Sequence, residues 1–270
     1  MDIRNLGYRT NLEILRRGGS VITPTSADEM DYLVTRTPAN PSYWWGNFLL
    51  LQDAPDPATI PAWQARFAEQ LPAARHTAIG FDTTDALDEA LLGPWRAAGY
   101  EVTHDVVLTA DVVSEPPRPN HTATYRPLAD LDDWAASMAL QMACNDRDLP
   151  GYDTYVADSA DVRRQLVDDG HAVWVGAFLD GDLVAQMGLV DCGAETARYQ
   201  HVETHPAMRG RGYAGTLLAA TARFGAALWA PRTFVIVADP GYHAVEIYRR
   251  AGFRDTQVQT SVERQPDGSV

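Results

Sequence analysis

The chain has 270 residues, 46% of them hydrophobic and 21% charged, the balance of a globular protein with a packed core. A formal net charge of -14 argues against nucleic acid or an anionic membrane surface as partner, since both attract basic proteins. Two cysteines, Cys144 and Cys192, are too few for a disulfide framework or a cysteine-held metal, and with no apolar signal region at residues 1–5 and no apolar run of about 18 residues a cytoplasmic protein without a metal is expected.

In chain order, the first marked stretch is Tyr43-Trp44-Trp45-Gly46-Asn47-Phe48, which reads as extended, its adjacent tryptophans on opposite faces, one buried in the core and the other packed at a domain interface or lining an acceptor pocket. Phe48-Leu49-Leu50-Leu51-Gln52 reads as a strand, and so do residues 75–82, which end in Asp82. A helix follows, closed by Ala98-Gly99-Tyr100, because the residue after a helix end often needs the positive φ that glycine adopts easily. Glu115-Pro116-Pro117-Arg118-Pro119-Asn120 joins neither a helix nor a ladder, since proline locks φ and lacks an N–H. It divides the chain into residues 1–114, a stiff linker at 115–120, and residues 121–270.

Beyond the linker, residues 123–128 open a strand, and residues 131–142 and 155–167 are helical. The apolar runs 172–178 and 183–190 flank Asp180-Gly181, a tight-turn pair, and so form a β-hairpin. Residues 198–204 form a further strand, and a helix over residues 213–229 carries Ala214, Leu217, Leu218, Thr221, Phe224 and Leu228 near one face. A strand at 233–238, a helix at 243–251 and a strand at 256–263 complete the series.

The two halves echo one another. Residues 75–82 and 232–239 are each a strand ending in aspartate, and each is followed by a helix closed by Ala-Gly-aromatic, at Gly99-Tyr100 and at Gly252-Phe253. A tandem duplication accounts for this. In the first copy Asp53-Ala54-Pro55-Asp56-Pro57-Ala58 replaces the glycine-rich turn of the second, so the first copy lacks a ligand loop.

That turn carries the chemistry. A strand runs through Val202-Glu203-Thr204-His205-Pro206 into Arg209-Gly210-Arg211-Gly212-Tyr213-Ala214-Gly215, where an amphipathic helix begins. The first amides of a helix are unpaired and its dipole favours anions there. Gly210 and Gly212 clear the way for a phosphate, and Arg209 and Arg211 add positive charge, so the amides from Arg211 to Gly215 are placed to cradle a pyrophosphate. No Gly-Lys-Ser/Thr tripeptide is present, which excludes a P-loop. Gly210, Gly212 and Gly215 match the spacing of a dinucleotide fingerprint, but the strand before them follows a hairpin, and no acidic residue ends a second strand about 20 residues on.

Arg209-Gly210-Arg211-Gly212-Tyr213-Ala214 resembles the Arg/Gln-x-x-Gly-x-Gly/Ala loop of the GNAT family of N-acyltransferases, and residues 244–253 resemble that family's later helix with its tyrosine and closing Gly-Phe. The resemblance covers the second half of the chain. It implies an α/β fold of two GNAT-like domains in tandem, each with a mixed, mostly antiparallel sheet flanked by helices, and with splayed parallel strands in the C-terminal copy. It implies acetyl-CoA as co-substrate, its pantetheine arm on the main chain of Val202 and Thr204 and its pyrophosphate on residues 209–215. The acceptor would be a primary amine of a small molecule or peptide, attacking the thioester directly, in a monomer or homodimer. Tyr248 takes the place of the family's acid, which protonates the departing thiolate. Glu203, Glu195 and His201 are the candidate bases, the first and last sharing a strand face by alternation. Where the family often has asparagine, Gly241 stands, with Asp239 and His243 as nearby substitutes. Asp146, Asp148 and Asp153 are candidates for recognising a cationic acceptor or are simply a solvated acidic loop. A non-catalytic acyl-CoA sensor is the alternative reading of the loop, and a nicotinamide-dependent oxidoreductase, which would bind NAD, is the third.

Overall fold

The computed structural model describes residues 1–27, 30–145 and 151–265; Asp146 and Asp148 lie outside the described residues. Helices and strands follow one another as α1 (Leu6–Arg17), β1 (Val21–Ala27), β2 (Met30–Arg36), β3 (Phe48–Leu51), α2 (Ile60–Gln70), β4 (Thr77–Phe81), α3 (Glu89–Ala97) and β5 (Glu101–Ala110). After the proline-rich stretch come β6 (Thr124–Pro127), α4 (Leu131–Cys144), α5 (Tyr152–Asp168), β7 (Ala172–Leu179), β8 (Asp182–Asp191) and β9 (Thr196–Thr204). The chain continues through α6 (Tyr213–Trp229), β10 (Thr233–Ala238), α7 (Ala244–Arg250) and β11 (Arg254–Arg264). It divides into two compact units, one made of Met1–Val107, Val237–Pro240 and Thr256–Val270, the other of Leu108–Ile236 and Gly241–Asp255.

In the first unit the strands lie in the order β1-β2-β3-β4-β11-β5. Strand β3 is apolar throughout and buried on both faces. Leu49 and Leu51 pack with Trp63 and Phe67 of α2 and Trp95 of α3, whereas Phe48 and Leu50 pack with Tyr8, Leu12 and Leu15 of α1. A strand covered on both faces reads as a continuous hydrophobic run. β3 and β4 are parallel from Leu49↔Ile79 to Leu51↔Phe81, and the amide of Asp82 extends the pairing by donating to the Leu51 carbonyl at 2.8 Å. The carboxylate of Asp82 accepts from the amides of Arg4 at 3.0 Å and Asn5 at 2.9 Å, so it ties the start of α1 to the end of β4.

The tryptophan segment differs from the extended reading. Trp44–Gly46 is a 3-10 turn. Asn47 holds it: its side-chain oxygen accepts from the Thr37 amide, and its side-chain nitrogen donates to the carbonyls of Asn40 and Tyr43. These local bonds compete with a sheet ladder, a general property of asparagine. Trp44 stacks on His76 with ring centroids 5.1 Å apart, and Trp45 packs edge-on to Phe48 at 5.2 Å.

In the second unit the order is β10-β9-β8-β7-β6, with β10 parallel to β9 and the rest antiparallel. Side chains of β8 show what each face meets. Gln186 bonds to Ser137 of α4, and a Cβ on Gly188 would lie 2.4 Å from the ring of Trp174, which pairs with Trp134 of α4. On the opposite face Leu189 lies 2.3 Å from where a Cβ on Gly225 of α6 would stand. Each glycine therefore makes room for a large neighbour. The buried stripe of α6 runs through Leu217, Leu218, Thr221 and Gly225, and Leu228, expected on it, is exposed. The hairpin turn is as expected, with Asp180 and Gly181 both at positive φ.

The duplicated feature recurs in both units. Gly99 after α3 and Gly252 after α7 have φ of 84° and 107°. The aromatic after each packs back edge-on onto its helix, Tyr100 on Trp95 at 5.0 Å and Phe253 on Tyr248 at 6.4 Å.

Candidate active site

Three elements of the second unit converge at the end of β9. The register of β9 with β10 runs from Thr196↔Thr233 to Arg198↔Val235, and both strands continue beyond the last of these pairs. On its other side β9 pairs with β8, but between Gln186↔Glu203 and Gly188↔Gln200 it carries one residue more than its partner. This is a β-bulge, and His201 within it has φ of 48°, in the left-handed region that costs a residue with a Cβ. The bulge reverses the alternation. Tyr199 points to α6 and donates to the Leu218 carbonyl at 2.9 Å, whereas His201 points to α5, where Arg163 lies. Beyond the bulge ordinary alternation keeps Glu203 on the side of His201, and Gln186, which faces α4, bonds to it.

A cavity of about 240 Å³ opens beside this segment, lined by Gln141, Cys144, Asn145, Tyr152, Val202, Glu203, Thr204, Arg209 and Tyr242. Glu203 accepts a 2.6 Å hydrogen bond from Gln186, whose amide group is itself fixed by the hydroxyl and carbonyl of Ser137. Burial raises the pKa of Glu203, against the opposing pull of the Gln186 bond and the charge of Arg163. His201 is held well below its usual value by burial and by Arg163, and its ring lies against Trp174 at 5.9 Å. The Cys144 thiol donates to the Thr204 carbonyl at 3.4 Å, and its pKa is raised by burial and by Glu203.

The glycine-rich loop follows directly. A 3-10 turn, Pro206–Met208, leads to Gly210 and Gly212, both at positive φ (75° and 82°), so backbone conformation alone selects glycine there. A Cβ on Gly210 would meet nothing within 4 Å, and one on Gly212 only Asn120 at 3.8 Å; the corner is not filled by the protein's own side chains. Gly212 caps α6 without a side-chain bond to the helix amides. In the first unit Asp56 accepts from the Ala58 amide and so caps the 3-10 turn Pro57–Thr59 that precedes α2; α2 itself, with Thr59 at its N-cap, has no side-chain cap. Asn120 braces the loop of the second unit. Its side chain donates to the Arg211 carbonyl and its amide to Thr216, whose hydroxyl donates to the Gly212 carbonyl. Arg209 donates to the Thr204 carbonyl at 3.2 Å, Arg211 to the Ala207 carbonyl at 3.3 Å, and both side chains are exposed.

The structure thus brings Val202, Glu203, Thr204 and Arg209 to one cavity wall and leads from there into Gly210, Arg211, Gly212, Tyr213, Ala214 and Gly215. Glu195 is not among them. It lies in the turn between β8 and β9, at φ of 56°, and pairs with Arg232 at 2.9 Å. Tyr248 is buried in α7 and is not among the residues lining the cavity; its pKa is raised by burial and by Tyr242, which does line it. The His243 ring lies tilted against Tyr242 with centroids 4.3 Å apart, and Asp153 lies in the first turn of α5. Sequence reasoning missed Gln186, Gln141, Arg163 and Asn120. Gln186 interrupts an apolar strand, and Arg163 occupies the buried phase of α5 set by Val156, Ala160 and Leu166, which are the signals that mark them.

A profile of the acetyltransferase (GNAT) family matches residues 134–253. This stretch is a GNAT domain. It contains β7 to α7, the cavity and the glycine loop. No curated protein sequence matches the chain. Among solved structures, a functionally unknown conserved protein from Staphylococcus epidermidis is similar over 91% of this chain and 94% of its own, at 13% identity and a TM-score of 0.69. A GCN5-related N-acetyltransferase from Kribbella flavida is similar over 98% of both chains, at 14% identity and a TM-score of 0.65. A tandem GNAT protein from the clavulanic acid biosynthesis pathway is similar over 89% of this chain and 84% of its own, at 14% identity and a TM-score of 0.54. At these identities the likeness is one of fold, and it extends beyond the GNAT domain into the first unit. No helix among the described residues is long and apolar enough to cross a membrane.

Proposed function

We propose that this protein transfers an acetyl group from acetyl-CoA to a primary amine of a small molecule or peptide. The supporting observation is the start of α6: a glycine-capped helix whose loop has two left-handed glycines and open space above them, flanked by Arg209 and Arg211. Amides and guanidinium groups are the donor set a pyrophosphate needs. The main chain of Val202, beyond the last β9–β10 pair, offers the pantetheine arm a strand edge. Thr204 offers less, because its carbonyl already accepts from Arg209 and Cys144.

Acetyl-CoA supplies an electrophilic thioester carbonyl; the protein supplies position and proton traffic. Glu203, on the cavity wall, takes the proton of the incoming ammonium, its carboxylate aimed by Gln186. Its raised pKa brings it toward the range in which a general base works best. Tyr248 donates to the departing thiolate. Burial keeps its phenol protonated, as an acid must be before it acts. Residues 1–114 we read as a degenerate copy, divided from the second copy, residues 121–270, by the linker at 115–120. β3 and β4 stay paired to their ends there, and Asp82 occupies itself with α1.

The test is release of free thiol from acetyl-CoA with a panel of small amines and N-terminal peptides. Amine-dependent release, lost in Glu203→Gln and Tyr248→Phe, is the expected result. Release no faster with any amine than with buffer would overturn the proposal.

A further inference from the structure

A cation lies buried behind the cavity, outside every motif the sequence displays. Arg163 of α5 is 4% exposed. One of its terminal nitrogens donates to the Gln141 side-chain oxygen at 2.7 Å, and the other lies 3.1 Å from Nε2 and 3.3 Å from Nδ1 of His201. Its guanidinium also sits over the Trp174 ring, 5.5 Å from the centroid. An arginine in this setting keeps its charge, because no protein environment deprotonates it readily.

We propose that Arg163 is a positioning residue that sorts the two candidate bases on β9, keeping His201 neutral and Glu203 ionised, and that it orients Gln141 toward the acceptor. This inference rests on the reading of Glu203 as base. An imidazole about 3 Å from a fixed guanidinium cannot gain a second positive charge cheaply, and a neutral imidazole offers one lone-pair nitrogen to accept from it. The proton released by the amine therefore goes to Glu203. A carboxylate half-buried beside aromatic rings would otherwise tend to stay protonated, and the Arg163 charge opposes that. The groups facing Glu203 are Gln186 on β8, Cys144 on α4, Tyr152, Tyr155 and Arg163 on α5, and Arg209, which lines the same cavity after β9; of these two cations Arg209 is exposed to solvent and Arg163 is buried, and it is the Arg163 charge that lowers the Glu203 pKa. Gln141, held at one end by Arg163, reaches the Tyr152 hydroxyl at 3.5 Å and lines the cavity. The strained bulge at His201 places its ring on the Arg163 side of the sheet.

The experiment is a ¹³C-carboxyl NMR titration of the full-length protein labelled at glutamate Cδ, with the Glu203 signal assigned by its loss in Glu203→Gln. It needs no turnover, so it stands apart from the thiol-release test of the function. Arg163→Gln should move the Glu203 midpoint to higher pH, and Arg163→Lys should return it toward the parent. Where Arg163→Gln does not fold, Gln141→Met, which removes one anchor and no charge, should move the midpoint in the same direction by less. In the thiol-release assay the acid limb of kcat/KM should follow the same order. A Glu203 midpoint unmoved in folded Arg163→Gln, or unmoved in Gln141→Met where that is the usable variant, would overturn the role of Arg163. Loss of amine-dependent turnover in the parent would overturn the function and leave the titration to decide on Arg163.

Discussion

Replacing Gly212 with alanine separates backbone conformation from space. Gly212 has φ of 82°, and an added Cβ would come no closer than 3.8 Å to Asn120, an ordinary contact. The cost is therefore conformational, about 1–2 kcal/mol for a residue with a Cβ in the left-handed region. For a chain of this size that corresponds to a fall in Tm of about 2–8 °C. If the loop relaxes, the amides of residues 211–215 turn away from a common point, and losing one charge-assisted hydrogen bond weakens acetyl-CoA binding about 10- to 100-fold. Gly215→Ala is the control. Gly215 is helical, its added Cβ would sit 3.7 Å from Ile247 and Pro116, and alanine favours a helix interior over glycine by about 0.5–1 kcal/mol. Thermal unfolding should show Gly212→Ala below the parent and Gly215→Ala at or above it, and calorimetric titration with acetyl-CoA should show the weakened binding in the former. A Gly212→Ala protein with parental Tm and parental affinity would refute the reasoning.

Gly212→Asp, which aims a carboxylate at the same corner, should abolish acetyl-CoA binding in a folded protein, as read by calorimetry. Glu203→Gln should lower kcat by about 100-fold or more, in line with the loss of a general base. The same variant should be more stable than the parent at pH 8. Burial raises the Glu203 pKa in the folded state, so its contribution is most favourable below the unfolded carboxyl pKa and is lost as pH rises through the folded value. The Tm gap should close toward pH 4, and a gap that is absent at pH 8 would contradict the burial of the carboxylate. Tyr248→Phe should lower kcat with little change in acetyl-CoA KM, measured by thiol release across pH. Asp82→Ala in the first unit leaves the amides of Arg4 and Asn5 without their acceptor, and each such loss costs about 1–3 kcal/mol, visible as a lower denaturation midpoint.

The order of elements was legible because their signals are local. Asp180-Gly181 marked the hairpin, the apolar phase marked α6, and β10 occupies the expected residues Thr233–Ala238. The glycine loop was legible because positive φ leaves a residue signature. The bulge on β9 was not. Its left-handed residue is His201 rather than a glycine, so nothing in the pattern shows that Tyr199 and His201 lie on opposite faces. The expectation that His201 and Glu203 share a face holds only because both follow the reversal. Arg163 and Gln186 stand in otherwise apolar phases, and their partners, His201, Gln141, Ser137 and Glu203, are distant in sequence, so the network exists only once α4, α5 and the sheet are assembled. The 3-10 turn at Trp44–Gly46 escaped for a similar reason: Asn47 draws its partners from Thr37, Asn40 and Tyr43 rather than from a neighbouring strand.

Backbone amide NMR with increasing acetyl-CoA puts the glycine-capped start of α6 to the most direct test. The amide signals of residues 211–215 should shift furthest and saturate together with that of Val202. Saturable shifts elsewhere in the spectrum, with those amides unmoved, would place the ligand somewhere else and contradict a pyrophosphate site at Gly212.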